Sequence, residues 1–489
     1  MLKPLPFAKY DYRAASPKLN AQRVVNLYCE IQSDDSVRVY PLLPTPGLVE
    51  FAEVGTGPIR ALDLIGSTLF AVSGDEVYEV SSAGAGTLLG NINVGASDAG
   101  ATPVYTAASG TQMGLVAPPN GWGITLGSPS VLARITDGDF LPAAGIVYLD
   151  GYFICPEVDS RQAFFSALLD VFDWDPLDVF AAESGGDNLV AITSDHRELW
   201  LQAQKRMEVW YNAGVDPALP FERIQGAYLE KGVAAAASIA RLDNSIFWLA
   251  NDLMVYRIAG GYGAQRISTH AIEHEISEYA DVSDAWAWTY SANGHIFYVL
   301  TFPSGGVAAE AGVAPPGRTF VYDVSTQMWH ERQSGVGGAA TRWRPNCGTA
   351  AYGRNLCGDS LSGKIFTLTD GIFTEDGNPI ERIAVCPPLY ADGQRVRLDR
   401  VELECQVGVG LTTGQGSDPQ VVLDWSDDGG VTWSNELWRS LGALGQRERT
   451  RVRWNRLGQF RNRSLRFRVT DPVQVALYGA VGQASGGRD

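Results

Sequence analysis

Histidine is scarce in this chain of 489 residues, five in all, so a metal centre built from imidazoles has few places to form. The six cysteines, Cys29, Cys155, Cys347, Cys357, Cys386 and Cys405, contain no C-x-x-C and no metal-finger spacing. They read as reduced, buried thiols, and a chain this long can bury enough surface to need no disulfide staples. No apolar run is long enough to span a bilayer, and the opening M-L-K-P-L-P-F-A-K-Y lacks the apolar core of a signal peptide. The expectation is a soluble chain made in a cytoplasm. Positive charge is in deficit, 38 Lys and Arg against 55 Asp and Glu, for a net -17. That balance argues against general nucleic-acid binding, which is driven by positive charge, and it opposes nonspecific sticking. There is no G-x-S-x-G, no P-loop and no dinucleotide fingerprint.

What the chain has is punctuation and aromatic weight: 54 Gly, 25 Pro, 13 Trp, 19 Tyr and 18 Phe. Its length suggests about three domains, although a repetitive all-β fold can run longer as one unit. A small turn followed by an apolar strand recurs along the first three quarters. It stands at Gly66-Ser67, Ser109-Gly110, Asp150-Gly151, Asp195-His196, Asp243-Asn244, Asn293-Gly294 and Tyr352-Gly353. The spacing, roughly 40 to 60 residues, is that of four-stranded propeller blades. Most repeats hold a second strand, such as N-D-L-M-V-Y-R-I from Asn251 and G-K-I-F-T-L from Gly363. About seven blades are expected, with six or eight open, because insertions such as Ser304 to Gly317 stretch the period. V-Y-D-V-S-T-Q-M-W-H, Val321 to His330, resembles a kelch strand pair, with Tyr322 and Trp329 packing between blades. Helical pattern is weak, and the best stretches are Arg161 to Phe172 and Ala271 to Tyr279.

Beyond about Asp370 the strands lengthen and their spacing widens, which reads as a separate antiparallel sandwich. Within it, S-D-D-G-G-V-T-W, Ser426 to Trp433, fits the Asp-box pattern S-x-D-x-G-x-x-W of sialidase propellers. It occurs once, and a plain hairpin accounts for it. H-A-I-E-H, His270 to His274, matches the H-x-x-E-H of inverted zinc peptidases, but no third ligand is announced, and a solvent-facing linker explains it as well. Asp170, Asp173, Asp175 and Asp178 cluster among aromatics. They could do acid-base work on a sugar or hold calcium, although a polar loop capping the propeller is the plainer reading.

From Arg439 to Arg468 ten arginines face a single acid, Glu448. In R-E-R-T-R-V-R-W the period of two puts Arg447, Arg449, Arg451 and Arg453 on one strand face, with Val452 and Trp454 on the other. L-R-F-R-V sets Arg466 and Arg468 opposite Leu465, Phe467 and Val469. A basic face on an acidic chain suits contact with DNA phosphates or with an acidic patch on a neighbouring copy or another protein, self-assembly being the better fit. A solvated face paired internally with carboxylates is the alternative.

Six stretches, in order along nearly the whole chain, carry a resemblance. They are R-V-V-N-L-Y-C-E at Arg23, P-T-P-G-L at Pro44, F-D-W-D-P-L-D-V-F-A-A-E at Phe172, E-V-W-Y-N-A-G at Glu208, R-I-S-T-H-A-I-E at Arg266 and W-N-R-L-G-Q-F-R-N-R at Trp454. Together they resemble the packaged-DNA stabilisation proteins, or tail accessory factors, of short-tailed bacteriophages. The resemblance implies a non-enzymatic virion subunit without cofactor, metal or catalytic residue. It implies a ring, usually of six, below the portal and its adaptor ring, which extends the DNA channel, retains the packaged genome until ejection and carries a distal needle or fibres. Acidic walls would keep phosphate from sticking as DNA passes through.

The resulting expectation is an all-β chain: an extended N-terminal arm over 1–50, packing on a neighbour or closing the propeller, then a β-propeller over 51–372 and a β-sandwich over 373–489. Its partners would be copies of itself, the portal and adaptor, and distal tail proteins, with no membrane in the assembled state. Assembly in the host cytoplasm into the virion tail follows. Arg447, Arg449, Arg451, Arg453, Arg466 and Arg468 are the candidate contacts. The alternative is a carbohydrate-active propeller, a glycosidase or receptor-binding lectin, using Asp173, Asp175 and exposed tryptophans.

Overall fold

The computed structural model describes the chain except residues 1, 17, 34, 35, 37, 94–101, 215–218, 307–315, 391, 392, 447–449 and 487–489. One local rule governs most of it: four antiparallel strands in a meander, then a connection to the next four. Ile59–Ile65, Thr68–Ser73, Glu76–Val80 and Gly86–Asn91 make the first such sheet. Four more free-standing sheets follow over 105–134, 147–181, 189–229 and 240–266. Trp286–Ala292, His295–Phe302, Arg318–Asp323 and Met328–Ser334 then open a twelve-stranded sheet. Pro345–Ala351, Arg354–Asp359 and Lys364–Thr369 take Gly47–Glu53, from far upstream, as their fourth strand. Pro345–Ala351 lies between Trp286–Ala292 and Ile59–Ile65, which closes the circuit into a β-propeller.

The small turns read from the sequence form the first hairpin of each group. Several place two successive residues at positive φ, as Asp243 and Asn244 do at +52° and +51°, and Asn293 and Gly294 at +53° and +81°. Such turns match the twist of the strands they join, which is why Asn, Asp and Gly recur there. In the fourth group the positive-φ pair is His196 and Arg197, one residue later than the sequence suggested. Inner strands read as unbroken apolar runs because both faces are covered by neighbouring sheets; S-I-F-W-L, Ser245–Leu249, is buried throughout. Tyr322 and Trp329 pack at 5.1 Å between ring centroids, and Trp329 donates Nε1 to the Ile267 carbonyl at 2.8 Å, tying one sheet to the preceding one.

The helical stretch expected near Ala271 is the helix His270–Ser277, capped by Thr269. The other, Arg161 to Phe172, is a correction. Gln162–Ser166 is a strand with Phe164 and Phe165 both buried, because pairing on both sides overrides local propensity.

The C-terminal part is a two-sheet β-sandwich. One sheet runs Leu27–Cys29, Leu42–Pro44, Leu477–Gly486, Val396–Cys405, Val452–Asn455. The other continues the twelve-stranded sheet through Ala21–Val25, Arg382–Val385, Asn462–Val469, Gln420–Ser426 and Leu437–Ser440. Leu398, Val401, Leu423, Trp454, Leu465 and Phe467 fill the space between them. The N-terminal residues lie on this chain's own sandwich: Lys3–Pro4 pairs with Leu477–Gly486, and Ala21–Val25 pairs with Arg382–Val385 while touching Met328–Ser334 through Val25 and Glu331.

Candidate interaction surfaces

The arginines singled out from the sequence divide between the two sheets. On Val452–Asn455 the alternation holds, with Val452 and Trp454 buried and Arg453 exposed. Arg451 is exposed and its Nε lies 3.0 Å from Glu402 Oε1. Arg447 and Arg449 lie outside the described residues. Beside Arg453, on the neighbouring edge strand Leu437–Ser440, Trp438 is 51% exposed, and Arg439 donates Nε to the Arg453 carbonyl at 2.9 Å. Trp438, Arg439, Arg451 and Arg453 thus share one edge of the sandwich.

Arg466 and Arg468 are on the other sheet and turn inward. Arg466 clasps buried Asp424 with Nε to Oδ1 at 2.8 Å and Nη2 to Oδ2 at 2.6 Å, and its guanidinium lies 3.7 Å above the Trp433 ring. Arg468 reaches Asp424 at 3.0 Å and Glu381 at 3.4 Å, and also Glu436. Here the internally paired face is the one observed. Asp424 was the missed residue, and its signal was a lone acid within the apolar run Q-V-V-L-D-W.

Arg466 and Arg468 line a cavity of about 360 Å³ between the propeller and the sandwich, together with Arg23, Arg318 and Glu331. Burial pushes the Glu331 carboxyl up, but the Arg23 guanidinium outweighs it and holds the group down at about 2. Asp11, buried beside them, is raised by burial and by the charge of Glu331.

The Asp-box stretch is a turn that spends its carboxylate on itself. Asp428 accepts from the Thr432 hydroxyl at 2.5 Å, the Ser426 hydroxyl at 2.7 Å and the amides of Val431 and Thr432 at 3.0 and 2.9 Å. These bonds, the Thr432 and Ser426 hydroxyls first, hold its carboxyl far below the usual range. It follows the sandwich strand Gln420–Ser426 and is not part of a propeller sheet.

H-A-I-E-H is on the helix His270–Ser277, where His270 and His274 are exposed. Glu273 is engaged by Arg266 Nε and the Ser268 hydroxyl, at 2.6 and 2.5 Å. Among the described residues no group of three or more His, Cys, Asp or Glu is placed to hold a metal ion.

The aspartates of 170–178 stand at the rim of the third sheet. Asp170 is used locally, accepting from Gln112 Nε2 at 3.2 Å and the Phe172 amide at 3.0 Å. Pairing between Gln162–Ser166 and the outermost strand Trp174–Ala181 shifts register between Phe164 and Ser166, so that Asp175 to Asp178 bulge outward. Asp173 and Asp175 are exposed, and Asp178 is raised by partial burial and by repulsion from Asp175 and Asp173. Three leucines flank the bulge in the open: Leu177 at 82% exposure, Leu168 at 60% and Leu169 at 53%. No pattern reading singled them out, since Leu177 sits between Pro176 and Asp178 and the pair Leu168-Leu169 lies in a turn.

Residues 4–372 match the family described as bacteriophage P22 Gp10, beta-propeller, and residues 381–484 match the one described as bacteriophage P22 Gp10, beta-sandwich. No curated protein matches the chain. Among solved structures it is similar to a streptogramin B lyase, at 10% identity over 66% of this chain and 98% of that one, with a TM-score of 0.42. It is similar to virginiamycin B lyase from Staphylococcus aureus at 11% identity, over 66% and 98%, with a TM-score of 0.43. The N-terminal domain of Nup159 aligns at 10% identity over 69% of this chain and 97% of that one, with a TM-score of 0.39.

Proposed function

Because this chain belongs to the bacteriophage P22 Gp10 family of packaged-DNA stabilisation proteins, a family of phage structural proteins, through both of its domains, we propose that it forms a ring in the phage tail. In this reading the ring, six copies round, sits below the portal and adaptor, extends the DNA channel, helps retain the packaged genome and anchors distal tail parts. The observation that carries the proposal is the family match across propeller and sandwich together. The net charge of -17 supports it, since an acidic conduit repels phosphate during ejection.

Six of the propeller's sheets are built from four consecutive strands, where the sequence suggested about seven, and the mixed sheet closed by Gly47–Glu53 completes the circuit. We divide the chain into a segment 1–50, a propeller over 51–372 and a sandwich over 373–489. Exposed Arg451 and Arg453, with Arg447 and Arg449 beside them in the sequence, are assigned to contacts with another subunit or the adaptor. Arg466 and Arg468 are assigned there only through the cavity they line.

Electron microscopy of virions or isolated tails, with the subunit placed in the density, tests this. A ring between adaptor and distal tail is the expected result. Subunits at the tail periphery, facing the host surface, would overturn it.

A further inference from the structure

Two edges of this molecule carry complementary faults. At the rim of the third sheet, Trp174–Ala181 is a free outermost strand whose bulge presents Asp175 and Leu177, with Asp173, Leu168 and Leu169 beside it. Among the described residues, Asp173, Asp175 and Asp178 form no ion pair within 4.0 Å, and Asp178 is raised by burial and by its two acidic neighbours. Exposed leucines on an unpartnered edge strand are a liability in a lone molecule, because the open backbone is a template for pairing.

At the sandwich, Leu437–Ser440 ends the twelve-stranded sheet and Val452–Asn455 ends the seven-stranded one, and the two edges lie side by side. They present Trp438, Arg439 and Arg453, and neither arginine has a carboxylate within 4.0 Å among the described residues. An exposed tryptophan beside arginines without a carboxylate partner has the composition of an interface centre.

Position makes the pairing intermolecular. The acidic rim belongs to the sheet over 147–181, and the sandwich continues from the sheet over 286–334. The sheets over 189–229 and 240–266 separate them one way round, and three sheets separate them the other way. One copy cannot bring its own two edges together.

We propose that the leucine and aspartate rim at 168–178 of one copy docks on the edge formed by Trp438, Arg439 and Arg453 of the next. Apolar contact of Leu177 with Trp438, framed by Asp173 and Asp175 against Arg439 and Arg453, removes both faults at once. The two patches differ, so the contact is heterologous: repeated, it closes a ring or grows a filament, but it does not stop at a two-fold dimer. This inference rests on the ring reading above and names its surfaces.

The test is charge exchange in the full chain, read by mass photometry and negative-stain microscopy. Asp173→Arg with Asp175→Arg abolishes association, and adding Arg439→Asp with Arg453→Asp restores it by at least tenfold in the concentration of half-assembly. Leu177→Asp alone abolishes it without changing the melting temperature. For variants that fold poorly, a second measurement stands: Asp175→Cys and Arg453→Cys chains, mixed and treated with a short bis-maleimide, give a cross-linked pair that neither gives alone. Rings that form in the Asp173→Arg, Asp175→Arg variant, or that form without the cross-link, overturn this surface assignment and leave the ring reading standing. A wild type that is monomeric both in solution and on tails overturns both.

Discussion

Arg23 and Glu331, 308 positions apart in the chain, are joined by two parallel hydrogen bonds of 2.6 Å, Nε to Oε1 and Nη2 to Oε2. The pair fastens the N-terminal strand Ala21–Val25 to the propeller strand Met328–Ser334, where the twelve-stranded sheet passes from one domain into the other. Glu331 is almost wholly buried, so removing Arg23 leaves its carboxylate, away from water, relying on the longer 3.4 Å contact with Arg318 Nη1.

Arg23→Met is therefore expected to destabilise the chain by about 3 to 5 kcal/mol, while Arg23→Met with Glu331→Gln costs clearly less than the sum of the two single changes. Urea unfolding of the four proteins of the cycle checks this. Additive losses would show that the pair does not act as a unit. The Glu331 carboxyl is held down at about 2, so its contribution is full above the ordinary 4.5 and is lost as pH falls from there toward 2.

His330 gives a second, higher window. Burial first, and then the nearby Arg332 charge, push its imidazole down to about 3 from the ordinary 6.5. Below pH 6.5 the unfolded chain binds a proton that the folded chain refuses, so stability falls as pH drops from 6.5 toward 3. His295 acts the other way, because its bond to Asp323 raises it above the ordinary value, and its stabilisation is lost as pH rises through that raised value. His330→Gln is expected to flatten the fall between pH 6.5 and 5, measured by urea midpoints at each pH. An unchanged slope in the variant would count against this origin.

The turn around Asp428 is expected to be structural. Asp428→Ala frees the amides of Val431 and Thr432, so their hydrogen exchange speeds up, while exchange in the propeller sheets stays as it was. Hydrogen-exchange mass spectrometry resolves the two regions. Protection that persists at 431 and 432 would mean the turn holds without its carboxylate.

Burial separates Trp454 from Leu177. Trp454, closed off in the sandwich core with its Nε1 bonded to the Leu437 carbonyl at 2.9 Å, is expected to cost about 3 to 5 kcal/mol on change to Ala. Leu177→Ser, at an open rim, is expected to stay within about 0.5 kcal/mol of the wild type. Thermal and urea unfolding of the two variants decides this; a large loss for Leu177→Ser would place that side chain in the core.

Turn chemistry made much of the fold legible. Asn293-Gly294 and Asp243-Asn244 announce hairpins because few residue types accept two successive positive φ values, and V-R-W-N alternates with the pleat it adopts. What stayed hidden depended on register between distant strands. Arg466 looks like an outward cation until Asp424, 42 residues earlier, is set directly across from it. The stretch Arg161 to Phe172 reads as helical for the same reason, since its strand character comes from its neighbours. At the rim, Leu177 carries no periodic signal at all; the bulge that exposes it is a property of a pair of strands, not of either one.

The strand that closes the propeller sets an order on synthesis. Gly47–Glu53 leaves the ribosome early, but its partner Lys364–Thr369 follows more than three hundred residues later. At bacterial elongation rates that is roughly 15 to 60 s, during which the first strand has no mate and the growing arc ends in a bare edge. A nascent chain halted before residue 364 is an open fan of sheets, and the finished circuit is the first state in which that edge is hidden from other chains.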